Sequence, residues 1–416
     1  MDKKSAILRW QTEHQIPGKI QAMLTAKPDN TGDWCIRNAQ HGKQMRLGIL
    51  GPSEELDPPE VVTEIFEYLI QEHQYYMRKA MTQLWVRAAG KGTWALLLHS
   101  QIRGAGTGHA IKLFETFLKR NHPEVIAFHR VETRPWFPFR LDQPPKAMKF
   151  EVKPIIGQEI LPLGDTGHFF HVLEWLPQLR HPYLELPAKV LGALHPKPGD
   201  KLLEVHCGSG FMGISMASSF EKVVCIDARG ISRQSVLHNL KARKITNVEY
   251  QQESLNQKWV ETFFTANNKG PWTVILNPTQ GEALAPGVIK SLAMAPIGRL
   301  VIISSNLEVV QEEIRRFRRA GFLLRKIVPF DLNPTTNRIE LVLFFAPDSA
   351  GVLKQGALEA DERARVERVA RITNTPIPEK VPRSSRKEKV EVKKPASGLR
   401  FVQKKKSPVG RPRKQG

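Results

Sequence analysis

Between positions 177 and 347, short apolar runs alternate with amphipathic segments. KLLEVHC, KVVCIDA, NVEYQ, WTVILNP and RLVIISS read as strands buried on both faces, since a strand covered on both sides carries a near-continuous apolar run. Between them lie SGFMGISMASSF, SRQSVLHNLKARK and, after the last run, LEVVQEEIRRFRRA. In that last segment Leu307, Val310, Ile314 and Phe317 recur at helical spacing, Asn306 suits an N-cap and Gly321 a C-terminal stop. Strand–helix alternation predicts a parallel sheet with helices on both faces. FLLRKIVPFDL and RIELVLFFAP, separated by NPTTN, break the alternation and predict an antiparallel hairpin at the end of the sheet.

The pattern divides the chain. Residues 177–348 form the α/β unit. Residues 76–176 are mixed: QLWVRAA and TWALLLHS suit a hairpin across GKG, HAIKLFETFLKRN a helix, and VIAFHRVE a further strand. This predicts a smaller α+β domain. Residues 1–75 are left unassigned, apart from a helix over Val61–Gln71. Residues 349–416 are poor in apolar positions and rich in charge, which predicts a mostly disordered basic tail, with one short charged helix over Leu353–Ile372.

Charge then points to a partner. The 416-residue chain holds 62 Lys+Arg against 41 Asp+Glu, a formal charge of +21. Residues 350–416 alone hold 19 Lys+Arg and 7 Asp+Glu, about +12. Such an excess suits nucleic-acid phosphates, against the plainer alternative of a merely soluble basic protein. GRPRK (Gly410–Lys414) has the core of a minor-groove DNA motif, but one copy after Val409 reads more simply as a polybasic tether. The three cysteines, Cys35, Cys207 and Cys225, have no C-x-x-C spacing, so no metal site is expected and a disulfide scaffold is disfavoured. No apolar run reaches membrane-spanning length, and MDKKSAILRW lacks a signal-peptide core. A cytoplasmic monomer is expected.

The chemical signal is LLEVHCGSGFMG, Leu202–Gly213. A strand runs into Gly208-x-Gly210, whose glycines permit a tight turn and close approach of a ligand beside a helix N-terminus. Gly213 completes G-x-G-x-x-G, a dinucleotide pattern. Glu204, at the end of the first strand, suits instead a cofactor bearing a cationic amino group. Asp227, at the end of the second, suits two ribose hydroxyls. Together these favour S-adenosylmethionine over NAD; a Gly-rich turn without a ligand is the bland alternative.

In order along the chain, YMRKA (Tyr76–Ala80), GHFFHVLEW (Gly167–Trp175), VHCGSGFMG, LHNLKARKITNVEY, LNPTQG (Leu276–Gly281), IISSN and DLNPTTNRIELV resemble motifs of the RNA uracil-5 methyltransferase family, which modifies tRNA and 23S rRNA. Asn239 and Asn247 fall in register with that family's asparagines. The likeness covers roughly residues 76–347. It implies a Rossmann-like, class I SAM-dependent methyltransferase domain, an RNA substrate (rRNA or tRNA), and a cofactor site formed by Glu204, Gly208, Gly210, Asp227 and Asn277.

The chain departs from the family at its chemistry. The family's nucleophilic cysteine is Ser305 here, and a hydroxyl does not replace a thiolate without a strong adjacent base. The acid of the family's D-P-P-R is Asn277, whose amide both donates and accepts, and the arginine is Gln280. The glutamine of F-F-Q is His171, for which a satisfied, partly buried histidine is the plainer reading. The family's proton-abstracting glutamate is kept as Glu340. Three readings follow: a SAM-dependent RNA methyltransferase of changed chemistry, with Glu340 or His171 as base; a non-catalytic RNA-binding relative whose cofactor fold is structural or binds SAM without turnover; and, least favoured, uracil-5 chemistry through another cysteine.

Overall fold

The computed structural model describes residues 3–348, except 15, 18, 22, 24–31, 42–43, 52–55, 72–73, 91, 101–104, 133–150, 178–179, 279–283 and 333–338. The basic tail, the helix expected over Leu353–Ile372 and Gln280 lie outside the described residues.

The chain opens with helix α1 (Lys3–Glu13) and the two-residue strand β1 (Lys19–Ile20). It continues with β2 (Trp34–His41), β3 (Gln44–Leu50), α2 (Glu60–Ile70), α3 (Tyr75–Ala80), β4 (Met81–Ala88) and β5 (Trp94–Ser100). Then come α4 (Ala105–Asn121), β6 (Val125–Glu132), β7 (Glu151–Ile156) and the small hairpin β8 (Ile160–Pro162) and β9 (Phe169–His171). Strands β2 to β7 form a six-stranded sheet in the order β3-β2-β4-β5-β6-β7. Its core holds Leu84, Val86, Leu96 and Leu98 from the strands, Ile65 and Leu69 from α2, and Phe114 and Leu118 from α4.

The remainder alternates as the apolar runs predict: α5 (Arg180–Leu194), β10 (Lys201–Val205), α6 (Phe211–Met216), β11 (Lys222–Ile226), α7 (Gly230–Arg243) and β12 (Val248–Gln251). It ends with α8 (Gln257–Ala266), β13 (Trp272–Leu276), α9 (Pro286–Met294), β14 (Ile297–Ser304), α10 (Leu307–Arg319), β15 (Phe322–Phe330) and β16 (Glu340–Pro347). The sheet order is β1-β15-β16-β14-β13-β10-β11-β12. Strands β10 to β14 pair in parallel, and β16 pairs antiparallel with both β14 and β15.

Period-2 alternation distributes each strand's apolar residues between two cores. Leu203, Val205, Val224 and Ile226 join one cluster; Leu202, Val223 and Cys225 join the other. Glu204 therefore points to the same face as Leu202 and Cys225. Helix α10 buries Val310, Ile314 and Phe317 in the first cluster, with Leu307 packed against it. The Asn306 side chain accepts the Val309 N–H at 3.3 Å. Gly321, at φ 89°, follows the helix as its stop.

Residues 1–75 do not behave as one unit. Ile7 and Trp10 of α1 and Ile16 are buried in the large sheet's core, and β1 pairs in parallel with β15. Lys3 adds an ion pair to Asp331 at 2.6 Å. Strands β2 and β3 belong instead to the six-stranded sheet, so the first residues serve the α/β unit and those from Trp34 onward serve the smaller one. Pairing across such sequence distances leaves little local trace, which is why this segment resists reading from the sequence.

Candidate active site

The parallel strands β10, β11, β13 and β14 end on one edge, and the strand order turns outward on either side of β10. That is where open α/β sheets hold ligands. A cavity at this edge is lined by His206, Cys207 and Gly208 after β10, Arg229 after β11, Asn277 and Pro278 after β13, Ser304 and Ser305 at the end of β14, and Glu340 at the start of β16. Glu174, Trp175 and Tyr183, from the segment entering the α/β unit, complete the wall. The antiparallel β16 brings Glu340 to this edge: it runs back alongside β14, with Leu341 opposite Ser304.

Ser305, Asn277 and Glu340 thus share a wall with the Gly208 loop. Asn277 is anchored through its own N–H, which donates to the Val205 carbonyl at 3.1 Å. Cys207 lines the same cavity, but burial pushes its thiol well above the usual range. His171 does not line this cavity. Its Nδ1 accepts the Leu173 N–H at 3.1 Å, which leaves Nε2 to donate to Glu159 Oε2 at 3.1 Å. Burial lowers its pKa, so His171 is a satisfied neutral histidine within the β8–β9 hairpin.

The loop glycines have the backbone that calls for glycine. Gly208 lies at φ 57° and Gly210 at φ 76°. The space over Gly208 is already shared: a Cβ there would lie 2.6 Å from Glu174 Oε1 and 3.7 Å from an Arg229 guanidinium nitrogen. Gly213, in the first turn of α6, lies against Glu204, where a Cβ would meet the carboxylate at 2.7 Å.

Of the two predicted cofactor acids, Glu204 does not line the cavity. Its Oε2 accepts the Gly213 N–H at 2.7 Å and lies 3.6 Å from the Cys225 sulfur. Burial raises its pKa to about 8, so at neutral pH Glu204 braces the turn into α6 largely in its neutral form. Asp227 stands at the end of β11 with both oxygens engaged. It accepts the Gly208 N–H at 3.0 Å, the Arg229 N–H at 2.9 Å, and the Arg229 Nε and Nη2 at 3.0 and 2.8 Å. Burial opposes its ionisation, but the Arg229 pair prevails and holds the carboxyl below the usual range.

Several further residues of the site are not singled out by the sequence reading. Glu174 is buried, accepts the Ser209 N–H at 2.6 Å, and has its pKa raised by burial. Asn239 of α7 clamps β9 to the loop: its Oδ1 accepts the Phe169 N–H at 2.7 Å, and its Nδ2 donates to the Phe169 carbonyl at 2.7 Å and the Ser209 carbonyl at 3.2 Å. His168 reaches Ser209 Oγ at 3.1 Å and packs edge-on against Phe211. These are tertiary contacts between segments far apart in sequence. His168 and Glu174 lie within GHFFHVLEW and Asn239 falls in register with the family motif, but the letters do not say what each side chain touches.

The wall holds two carboxylates, Glu174 and Glu340, beside one guanidinium, with Asp227 behind it. This donor set suits a ligand that bears positive charge along with hydroxyls.

No protein-family model matches the chain. Over 152 residues it is 32% identical to the uncharacterized RNA methyltransferase YljE of Lactococcus lactis, an overlap of 36% of this chain and 32% of that protein. Over 163 residues it is 26% identical to the 23S rRNA (uracil(1939)-C(5))-methyltransferase RlmD of Vibrio cholerae, 38% of this chain and 35% of that one. The matched region thus spans about a third of these curated relatives. Among solved structures, the tRNA (uracil-54, C5)-methyltransferase of Pyrococcus abyssi, in complex with S-adenosyl-L-homocysteine, aligns with a TM-score of 0.57 at 16% identity, covering 82% of this chain and 81% of that one. The fold is that of SAM-dependent methyltransferases.

Proposed function

We propose that this chain, which resembles the RNA uracil-5 methyltransferase family, transfers a methyl group from S-adenosylmethionine to RNA without forming a covalent adduct with the base. The observation that carries the reading is the shared cavity, in which Asn277, Ser305 and Glu340 face the same space as Gly208. When bound, the cofactor supplies an electrophilic methyl group on a sulfonium. The protein's part is to hold the acceptor and move its proton.

Asn277 presents a donor and an acceptor to a base edge. Glu340 stands in the same wall to take the proton released when the acceptor atom is methylated. A serine hydroxyl needs a strong adjacent base to act as a nucleophile, and among the described residues no hydrogen bond joins Ser305 to one. Cys207 does not take over, since its buried thiol yields almost no thiolate at neutral pH. Attack on C6 of uracil is thereby disfavoured, and an acceptor that is nucleophilic unaided, such as a base amine or ring nitrogen, fits better. The substrate class is rRNA or tRNA, and the basic tail adds phosphate contacts.

The experiment is nucleoside mass spectrometry of rRNA and tRNA from cells with and without the gene, paired with transfer of labelled methyl groups by the purified protein. A modification lost in the deletion strain and restored in vitro supports the reading and names the atom. An unchanged modification profile, with no label transferred, sinks it. A second reading, an RNA-binding relative without turnover, is favoured by the full acceptor set of Asp227. Label transfer separates the two: its absence, whether or not S-adenosylhomocysteine binds, leaves the relative without turnover, and its presence removes that reading.

A further inference from the structure

Asp227 is placed to receive ribose hydroxyls, yet it has nothing left to offer them. A carboxylate accepts about four hydrogen bonds, roughly two per oxygen. At Asp227 these go to the N–H groups of Gly208 and Arg229 and to Nε and Nη2 of the Arg229 side chain. The backbone pair is fixed by the loop. The side-chain pair is not: Arg229 is 31% exposed, whereas Asp227 is 3% exposed. Withdrawal of the guanidinium would free one acceptor position on each carboxylate oxygen, which is what a vicinal diol requires.

The guanidinium has a second acid within reach. Glu174 and Arg229 both border the open side of Gly208, where a Cβ would lie 2.6 Å from the Glu174 carboxylate and 3.7 Å from the Arg229 nitrogen. Glu174 is buried and takes its hydrogen bonds from Ser209, the N–H at 2.6 Å and the side chain; its contact with Ser235 Oγ is long, at 3.5 Å. It therefore has acceptor capacity for a cation.

We propose that Arg229 competes with the cofactor's ribose diol for Asp227, and that it transfers to Glu174 when the diol binds. This rests on the S-adenosylmethionine reading and assigns its affinity to one side chain. Arg229 keeps the buried Asp227 paired and makes the ligand displace a bidentate ion pair. Glu174 lowers that cost by receiving the guanidinium. The direction is opposite to that of an arginine that contacts the cofactor, so the sign of a single substitution decides.

The test is calorimetry with S-adenosylhomocysteine on the full-length chain and its variants. Arg229→Ala is expected to bind about tenfold more tightly, equivalent to about 1.4 kcal/mol, with Arg229→Gln in the same direction. Adenosine should share the gain and 2′,3′-dideoxyadenosine should not, because only the diol competes. Glu174→Gln should bind more weakly in the wild-type background and show no penalty in the Arg229→Ala background. Thermal unfolding without ligand should be lower for Arg229→Ala and should rise more on adding S-adenosylhomocysteine, showing that the variant folds and gains in binding. If the wild type binds and Arg229→Ala binds equally or less tightly, competition is overturned while the cofactor reading stands. If the Glu174→Gln penalty persists without Arg229, transfer to Glu174 is overturned. If neither wild type nor variant binds S-adenosylhomocysteine, both readings fall.

Discussion

At Gly208 a single hydrogen in place of a methyl group lets two charged side chains meet the cofactor loop. Alanine there would sit at φ 57° and 2.6 Å from Glu174 Oε1. The left-handed backbone costs about 1–2 kcal/mol for a residue with a Cβ, and the contact adds to it. Gly208→Ala should lower stability by about 2–4 kcal/mol in urea denaturation and weaken cofactor binding; an unchanged midpoint would mean that Glu174 steps aside freely. Ser305 gives the complementary chemical test. RNA containing 5-fluorouridine traps enzymes that add a thiolate to C6, so this protein should give no shifted band on a denaturing gel. A stable adduct would show that another nucleophile acts, and Cys207 would be the first to substitute.

At the level of elements, the site depends on α7 holding β9 against the loop. Asn239 is fully buried and bonds both backbone groups of Phe169. Asn239→Ala would leave the Phe169 N–H and carbonyl without their partner, at about 2–3 kcal/mol. It should lower the urea midpoint and also raise the Kd for S-adenosylhomocysteine, because the Ser209 carbonyl loses the same amide. A stability loss with no change in affinity would confine Asn239 to the frame. The hairpin of β15 and β16 acts in the same way: its antiparallel return delivers Glu340 to the edge where the parallel strands end. Its existence is legible from two apolar runs around NPTTN, whereas the strand it lies beside is not.

Across the whole molecule, buried histidines contribute stability that acid removes. Burial lowers His99 and His129 to about 4 and His168 to about 3, against an ordinary value of about 6.5. The unfolded chain then binds more protons than the native one below about pH 6.5. Stability from these groups is therefore complete above that pH and falls as pH drops toward 4 and 3, at up to about 1.4 kcal/mol per group per pH unit. Buried acids such as Glu204, raised to about 8, and Glu313, raised to about 7, contribute with the opposite sign, so the test is differential: from pH 7 to 4.5 the stability of His129→Gln in urea should rise relative to the wild type, and a difference independent of pH would contradict the burial. Charge is the other property of the whole chain. With about +12 of the +21 formal charge on residues 350–416, deleting them should reduce the slope of log Kd for RNA against log salt concentration. An equal slope would move the phosphate contacts to the folded part.

The sequence by itself determined the strand–helix alternation, the closing hairpin, the Gly208 loop and the positions of Ser305, Asn277 and Glu340, because each is written in local periodicity, turn chemistry or a motif of fixed order. It also supplied the acids at the ends of β10 and β11, but not what they do. Strand period turned Glu204 beneath α6, and the ion pair with Arg229 filled Asp227. His171, equal to the others as a letter in a motif, went to a separate hairpin with Glu159. The contacts of Glu174 and Asn239 and the placement of α1 on the large sheet were decided only by tertiary structure. Their contacts join residues far apart in the chain, where no repeat or spacing records which side chain will face which.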